Sequence, residues 1–372
     1  MRPMARVATK DYGRQYRALW HELAPVIERT MCDDDPVLGA ALERFEANLA
    51  RYHQVRHAVG VGSGTDAIIH MVRALGIDGE IVTCAHTFAG VVSALIQAGV
   101  EPRLVDGEVL EVAAVERAIT PRTRAVLAVH LHGLPVALDE LAALCHAHGL
   151  ILLEDAAQAH GASYAGRPVG SFGAAAALSF HPSKNLGAFG DGGAILTSSD
   201  DLAARLRVIR NLGKDDKYRF AEIAPNTKLD TLQAAVLDVK LGHLDGWIAR
   251  RRDLAARYRR GLRGVGDLQL PDDRGAAMHA YHLYVVHTAQ RDDLRDFLAS
   301  HGVATGLHYP IAAARQPALA RHFAGQSFPI ADMLASSCLS LPLSHEHEDA
   351  EVDQVIERVR AFFAPVASLG HA

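Results

Sequence analysis

The sequence predicts an α/β protein built on a mostly parallel sheet covered by helices. Three observations predict it. From about residue 58, short apolar runs alternate with segments of helical period, the pattern of βαβ units. One run, 150–153, is apolar throughout, as strands buried on both faces are. At 372 residues the chain is too long for one small core and suits two domains.

The elements follow in order. Helical segments at 16–29 and 36–50 come first. Residues 58–61 read as a strand, then Gly62-Ser63-Gly64-Thr65, then a helix over 66–75. A strand at 80–83 leads into a helix over 88–98. Residues 102–105 and 125–130 are further strands, 138–148 is a helix, and 150–153 is the doubly buried strand. The crossovers should be right-handed. Apolar segments at 174–180 and 192–196 enclose a polar loop. Beyond residue 200 the alternation stops. Helices are predicted over 202–211 and 229–262, the second long and rich in Arg. A strand at 281–287 and helices at 292–301 and 350–363 complete the chain. The domain boundary is placed within the long helix, giving 1–248 and 249–372.

Composition excludes several classes. Net charge is −5 with both signs mixed, so nothing suggests a nucleic-acid surface. No apolar run reaches the ~18–20 residues needed to span a bilayer, and residues 1–10 show no signal-peptide core. The four cysteines, Cys32, Cys84, Cys145 and Cys338, form no CxxC pair and read as reduced thiols of a cytoplasmic protein. The 21 histidines form no HExxH, and His130-Leu131-His132 reads as loop histidines rather than a metal site.

Lys184 is the most informative residue. Only six of the 38 Lys and Arg residues are lysines: Lys10, Lys184, Lys214, Lys217, Lys228 and Lys240. Arg cannot form an imine; a Lys whose pKa is lowered by burial can. Two further features fall at predicted strand ends, where open α/β sheets bind ligands. Gly62-Ser63-Gly64-Thr65 could cradle a phosphate at a helix N-terminus or be only a tight turn. It does not complete GxGxxG. Asp155, directly after Leu150-Ile151-Leu152-Leu153-Glu154, is either a helix cap or a site residue. Phosphate cradle, strand-end acid and imine-forming lysine are together what pyridoxal phosphate needs. Its aldehyde takes the lysine, its pyridine nitrogen a carboxylate, and its phosphate amides and hydroxyls.

The segments Gly62 to Ala67, Thr87-Phe88, Glu154 to Ala162 and Ser179 to Gly193 resemble the DegT/DnrJ/StrS family of sugar aminotransferases. The likeness runs from about residue 36 to 363. It implies a fold type I aminotransferase, with a seven-stranded, mostly parallel sheet between helices and a smaller C-terminal α+β domain. It also implies a homodimer with shared active sites. Lys184 would form the internal aldimine and move the proton, and Asp155 would pair with the pyridine nitrogen. Phe88 would stack on the ring, where the alternative is plain core. Gln158 would bond the region of the phenolic oxygen, or be a polar loop residue. Gly64, Thr65 and Ser179 would hold the phosphate, although Ser179 could be only a strand-end hydroxyl. Asn226 would reach the phosphate of the other subunit's cofactor. Pro225 and Lys228 depart from the family pattern around it, and Lys228 lacks the planar fork of the usual Arg. His308 and Tyr309 would lie near the substrate, or form a turn before Pro310.

The resemblance implies a PLP-dependent transaminase moving an amino group from an amino acid, L-glutamate, to a nucleotide-linked keto-sugar. Some relatives carry His in place of the lysine and act as dehydratases; Lys184 argues for transamination. Segment 180–187, Arg210 to Lys214 and Leu232 to Leu237 are closest to relatives that aminate C3 of a dTDP-linked 3-keto-6-deoxyhexose. The alternatives are amination at C4, a keto-inositol substrate, a non-catalytic sensor on the same fold, and a nicotinamide-dependent dehydrogenase.

Overall fold

The computed structural model describes residues 7–271 and 275–364. The outermost parts of both predicted domains, and most of the segment read for a signal peptide, lie outside these residues. Helices α1 (Tyr12–Asp33) and α2 (Ala40–Tyr52) lead into β1 (His57–Val61), α3 (Gly64–Ala74), β2 (Glu80–Cys84), α4 (Ala89–Ala98), β3 (Glu101–Val105), α5 (Val112–Ala118), β4 (Thr123–Val129), α6 (Leu138–His148) and β5 (Ile151–Asp155). The short strands β6 (Ser163–Tyr164) and β7 (Arg167–Pro168) precede β8 (Ala175–Ser179), β9 (Gly193–Thr197) and α7 (Asp200–Arg210). Then come α8 (Thr231–Leu241), α9 (Leu244–Leu262), β10 (Ala277–Met278), β11 (Tyr284–His287), α10 (Arg291–Ser300), α11 (Pro329–Ser337), β12 (Cys338–Leu341) and α12 (Asp349–Phe363).

The central sheet has seven strands in the order β1-β9-β8-β5-β4-β2-β3. Only β9 runs against the others, pairing antiparallel with both β1 and β8. The remaining pairs are parallel, which is why their residues, Val, Ile, Leu and Ala, are buried on both faces. The six parallel strands end at one edge, at Val61, Cys84, Val105, Val129, Asp155 and Ser179, and β9 begins there at Gly193.

The predicted helix over 229–262 is two helices. It breaks at Gly242-His243 between α8 and α9. The buried positions Leu241, Leu244, Ile248, Arg251, Ala255, Tyr258 and Leu262 keep a period near 3.6 straight through the break, so periodicity could not reveal it. What ends α8 is local. Gly242 is a weak helix former, and the His243 ring turns to stack on Trp247 and bond Glu22. The strand expected at 281–287 starts later, at Tyr284, because Tyr281 adopts a left-handed φ of 46° that a strand cannot continue.

Helix α9 crosses the predicted boundary at 248/249. Its first turns, Leu244 and Ile248, belong to the core around the large sheet. Its later residues, Leu254, Ala255, Tyr258 and Leu262, belong to a second core with β11, β12, α10 and α12. Val7 also packs into this second core, and Ala280 packs into the first. Among the described residues, no helix is long and apolar enough to cross a membrane.

Candidate active site

The site forms where the parallel strands end. Strand β1 is fixed at its end by a buried pair: Glu46 Oε1 accepts from Gly60 N at 2.8 Å and from the Arg210 guanidinium, which also donates to Gly60 O at 2.9 Å. The chain then turns through Gly62 and Ser63 into α3. Ser63 is the N-cap, its hydroxyl accepting from Asp66 N at 3.0 Å. The amides of Gly64 and Thr65 lie in the first turn, where a helix leaves its N–H groups without internal partners. Ser179, the last residue of β8, stands against them. A Cβ on Gly64 would lie 2.8 Å from Ser179 Cβ. On the neighbouring strand, a Cβ on Gly193 would lie 2.4 Å from the Ser63 carbonyl group. Both positions therefore require glycine for close approach, and together they leave a concave backbone surface that suits a phosphate.

Asp155 closes β5 and is 5% exposed. Its Oδ1 accepts from Ala157 N at 3.0 Å. It thus caps the following turn, but among the described residues that bond leaves its second oxygen without a hydrogen-bond partner. Burial raises its pKa, and the Ala157 amide and the Lys184 charge oppose the rise. Lys184 shares a small pocket with Asp155, Gln158, Thr87, Phe88 and Val129. Burial lowers the Lys184 pKa to about 8, against the pull of Asp155. Among the described residues its ammonium nitrogen has no hydrogen-bond partner, so the amine is held near a carboxylate but not tied down.

Phe88 ends the β2–α4 turn and is 48% exposed, which excludes the plain-core reading. Its ring lies 5.4 Å from that of Tyr309, tilted by 40°. Gln158 bridges two elements: its Oε1 accepts from His132 N at 2.7 Å and its Nε2 donates to the Tyr309 hydroxyl at 2.9 Å. Burial pushes the Tyr309 phenol up to about 12, so it stays protonated. His308 bonds Ser340 through Nδ1 at 2.8 Å, and its carbonyl meets His132 Nε2 at 3.2 Å. The structure thus brings Lys184, Asp155, Phe88 and Gln158 to one pocket, sets Tyr309 against Phe88 and Gln158, and places Gly64, Thr65 and Ser179 at the same sheet edge. His308 lies one residue back, turned toward Ser340.

Asn226 stands apart from that pocket. It is exposed, and its side-chain oxygen takes the Lys228 ammonium, which also reaches Asn211 at 3.2 Å. Its neighbour Thr227 accepts from Gly62 N at 2.8 Å, so the segment lies beside the Gly62 turn. Sequence reasoning set His132 aside as a loop histidine, whereas its amide and ring support Gln158 and the His308 carbonyl. It passed over Glu154, whose carboxylate takes the amides of Gly170, Phe172 and Gly173 at 2.7–2.8 Å and so fixes the turn beside the Asp155 strand. Glu154 had a signal, being an acid in a doubly buried strand; His132 had none.

The residues fit pyridoxal phosphate: a free amine, a carboxylate at the end of a buried strand with one oxygen bonded only by Ala157 N, an exposed aromatic ring, and a glycine-shaped helix N-terminus. Among structures of known proteins, the fold matches DesV of Streptomyces venezuelae, solved with a ketimine intermediate, at a TM-score of 0.95 and 42% identity, covering 98% of this chain and 100% of that one. The family model for DegT/DnrJ/EryC1/StrS aminotransferases matches residues 21–360, and the chain belongs to that family. It is a PLP-dependent aminotransferase. Among its relatives, dTDP-3-amino-3,4,6-trideoxy-alpha-D-glucose transaminase of Streptomyces venezuelae is 42% identical over 95% of this chain and 96% of that protein. Erythromycin biosynthesis sensory transduction protein EryC1 of Saccharopolyspora erythraea is 44% identical over 94% of this chain and 98% of that protein.

Proposed function

We propose that the enzyme transfers the amino group of L-glutamate to C3 of a dTDP-linked 3-keto-6-deoxyhexose. The observation that carries the chemistry is the untied Lys184 amine facing the Asp155 carboxylate in a pocket walled by Phe88. The choice of sugar rests on likeness to the Streptomyces venezuelae transaminase named above.

When bound, the cofactor supplies an electron sink for cleavage of the substrate Cα–H bond. The protein supplies the rest. Gly64 N, Thr65 N and the Thr65 and Ser179 hydroxyls would hold the phosphate. Asp155, mostly buried, would face the ring nitrogen and favour its protonated form. Lys184 Nζ, with a pKa near 8, is a base poised close to neutral pH, which is where proton transfer is most effective. The Tyr309 hydroxyl, oriented by Gln158, faces Phe88 and offers a hydrogen bond to the incoming sugar. His308 fixes the segment that carries Tyr309.

The same reading takes the protein as two domains meeting within α9. It also takes it as a homodimer whose sites are shared, with Asn226 reaching the partner's phosphate. Supporting this, Tyr16, Trp20 and Phe189 form an exposed aromatic patch, with ring centroids 5.0 and 6.0 Å apart, beside the loop that bears Lys184. Tyr218, Phe220 and Ile223 are exposed near Asn226, and such apolar exposure marks interfaces. The unpaired cysteines suit a reducing cytoplasm. NMR of the products from L-glutamate with dTDP-linked 3-keto and 4-keto 6-deoxyhexoses, and with a keto-inositol, tests the substrate. Amination only at C4, or only of the inositol, would overturn it. Mixing Lys184→Ala with Asn226→Ala subunits, each inactive alone, should restore part of the activity; no restoration would refute the shared site.

A further inference from the structure

The loop that carries Lys184 is held by two of the chain's other lysines. Lys10 Nζ donates to Pro182 O at 2.9 Å and to Lys184 O at 3.0 Å. Lys240 Nζ, buried on α8, donates to Gly187 O at 2.7 Å and lies 4.4 Å from the Phe189 ring centroid. Three of only six lysines in the sequence therefore meet on the segment from Pro182 to Phe189. Inside the loop, Lys184 N donates to His181 O and Ala188 N to Phe180 O, both at 2.8 Å. The bonds within the loop close it; those from Lys10 and Lys240 fix it to the rest of the molecule.

An ammonium carries three donors around one compact point on a flexible stem, and Lys10 uses it to serve two carbonyls of the loop at once. Such charge-assisted bonds are shorter and stronger than neutral ones.

Lys10 also ends a short tether. Val7 N donates to Gly302 O and Val7 O accepts from Ala304 N, both at 2.9 Å. Ala8 O meets His347 Nε2 at 2.9 Å. Asp11 then caps α1 through Arg14 N. Within four residues the chain passes from the second core to the backbone carbonyl of Lys184 itself. Nothing else among the hydrogen bonds of the described residues joins the second core to that carbonyl.

We propose that Lys10 is a positioning residue for Lys184, and that residues 7–10 are a strap fixing the catalytic loop to the second core, with Lys240 as the opposite anchor. The strap sets where the Lys184 backbone sits, and so how its amine approaches the pocket. This role presupposes that Lys184 carries the cofactor, so the test separates the two ideas.

Hydrogen exchange by mass spectrometry on the cofactor-free protein reads the strap directly. In Lys10→Met, peptides spanning 181–189 should exchange at least about tenfold faster, while peptides of β5 and α7 stay as in the parent. In the loaded protein, the same variant should shift the pH midpoint of the visible absorbance and lower kcat with little change in KM for the amino donor. Lys10→Gln, polar but too short to reach both carbonyls, should move the same readouts in the same direction and serves if Lys10→Met does not fold. Lys240→Met should speed the same loop from its other side. Loop exchange within twofold of the parent in both Lys10 variants would overturn the strap. Should the parent show no visible band with pyridoxal phosphate, the Lys184 assignment fails, and the exchange data still decide the strap.

Discussion

Gly64→Ala tests the phosphate cradle. Gly64 opens α3 with an ordinary helical backbone, so alanine would normally stabilise it by about 0.5–1 kcal/mol. Here the new methyl would sit 2.8 Å from Ser179 Cβ and 3.3 Å from Ser179 Cα, against about 3.5–4.0 Å for a comfortable carbon contact. Ser179 closes a central strand and cannot withdraw, so the first turn of α3 must tilt away. Overpacking of this kind costs about 1–3 kcal/mol. The cost falls on the geometry of the Gly64 and Thr65 amides, so it should appear in cofactor binding. At 1.4 kcal/mol per tenfold, the dissociation constant for pyridoxal phosphate should rise about 5- to 100-fold, with thermal stability of the cofactor-free protein little changed. Absorbance titration of the cofactor into the variant measures it, and the partner change Ser179→Gly should relieve the crowding. A Gly64→Ala protein that binds the cofactor as tightly as its parent would show that the cradle lies elsewhere.

Other predictions concern charge. Asp155→Asn keeps an oxygen for Ala157 N, so the fold should hold, but a neutral amide supports a ring proton poorly. Turnover should fall by at least about 100-fold in a glutamate-dependent assay, and an unchanged kcat would make Asp155 only a cap. Because burial lowers the Lys184 pKa to about 8, the neutral amine is about a tenth of the population at pH 7, against roughly 0.03% at 10.5. The rate of cofactor uptake should therefore level off just above pH 8; a rate still climbing at pH 10 would contradict the pocket's electrostatics. Glu46→Ala strands the buried Arg210 guanidinium and the Gly60 amide. It should cost about 3–5 kcal/mol in denaturant unfolding, and a loss under 1 kcal/mol would show that the pair does not anchor β1.

Much of the site was legible in the sequence because its signals are local. The Gly62 to Thr65 turn, the acid closing a doubly buried strand and the lysine between two apolar segments are each marked within a few residues, and the structure places all three where the parallel strands end. The large sheet was legible because parallel strands are buried on both faces. What escaped depends on distant partners. The reversal of β9 follows from its pairing with β1, almost 140 residues earlier in the chain. The break at Gly242 was masked by a hydrophobic period that continues through it. Lys10 and Lys240 were named among the six lysines but given no role, because the carbonyls they hold come from elsewhere in the chain. Phe88 could be told from a core residue only by its exposure.

The central claim is that Lys184 is the residue that bonds the cofactor. Lys10 is its sharpest rival, since burial and the nearby Arg251 lower its pKa to about 7. Its hydrogens, however, are spent on two carbonyls, and it does not line the pocket with Asp155. The direct measurement is to load the protein with pyridoxal phosphate, reduce it with borohydride, digest it and map the adduct by mass spectrometry. A single pyridoxyl group on Lys184, with the other five lysines unmodified, is the expected result; an adduct on Lys10 or any other lysine, with Lys184 free, would contradict the account.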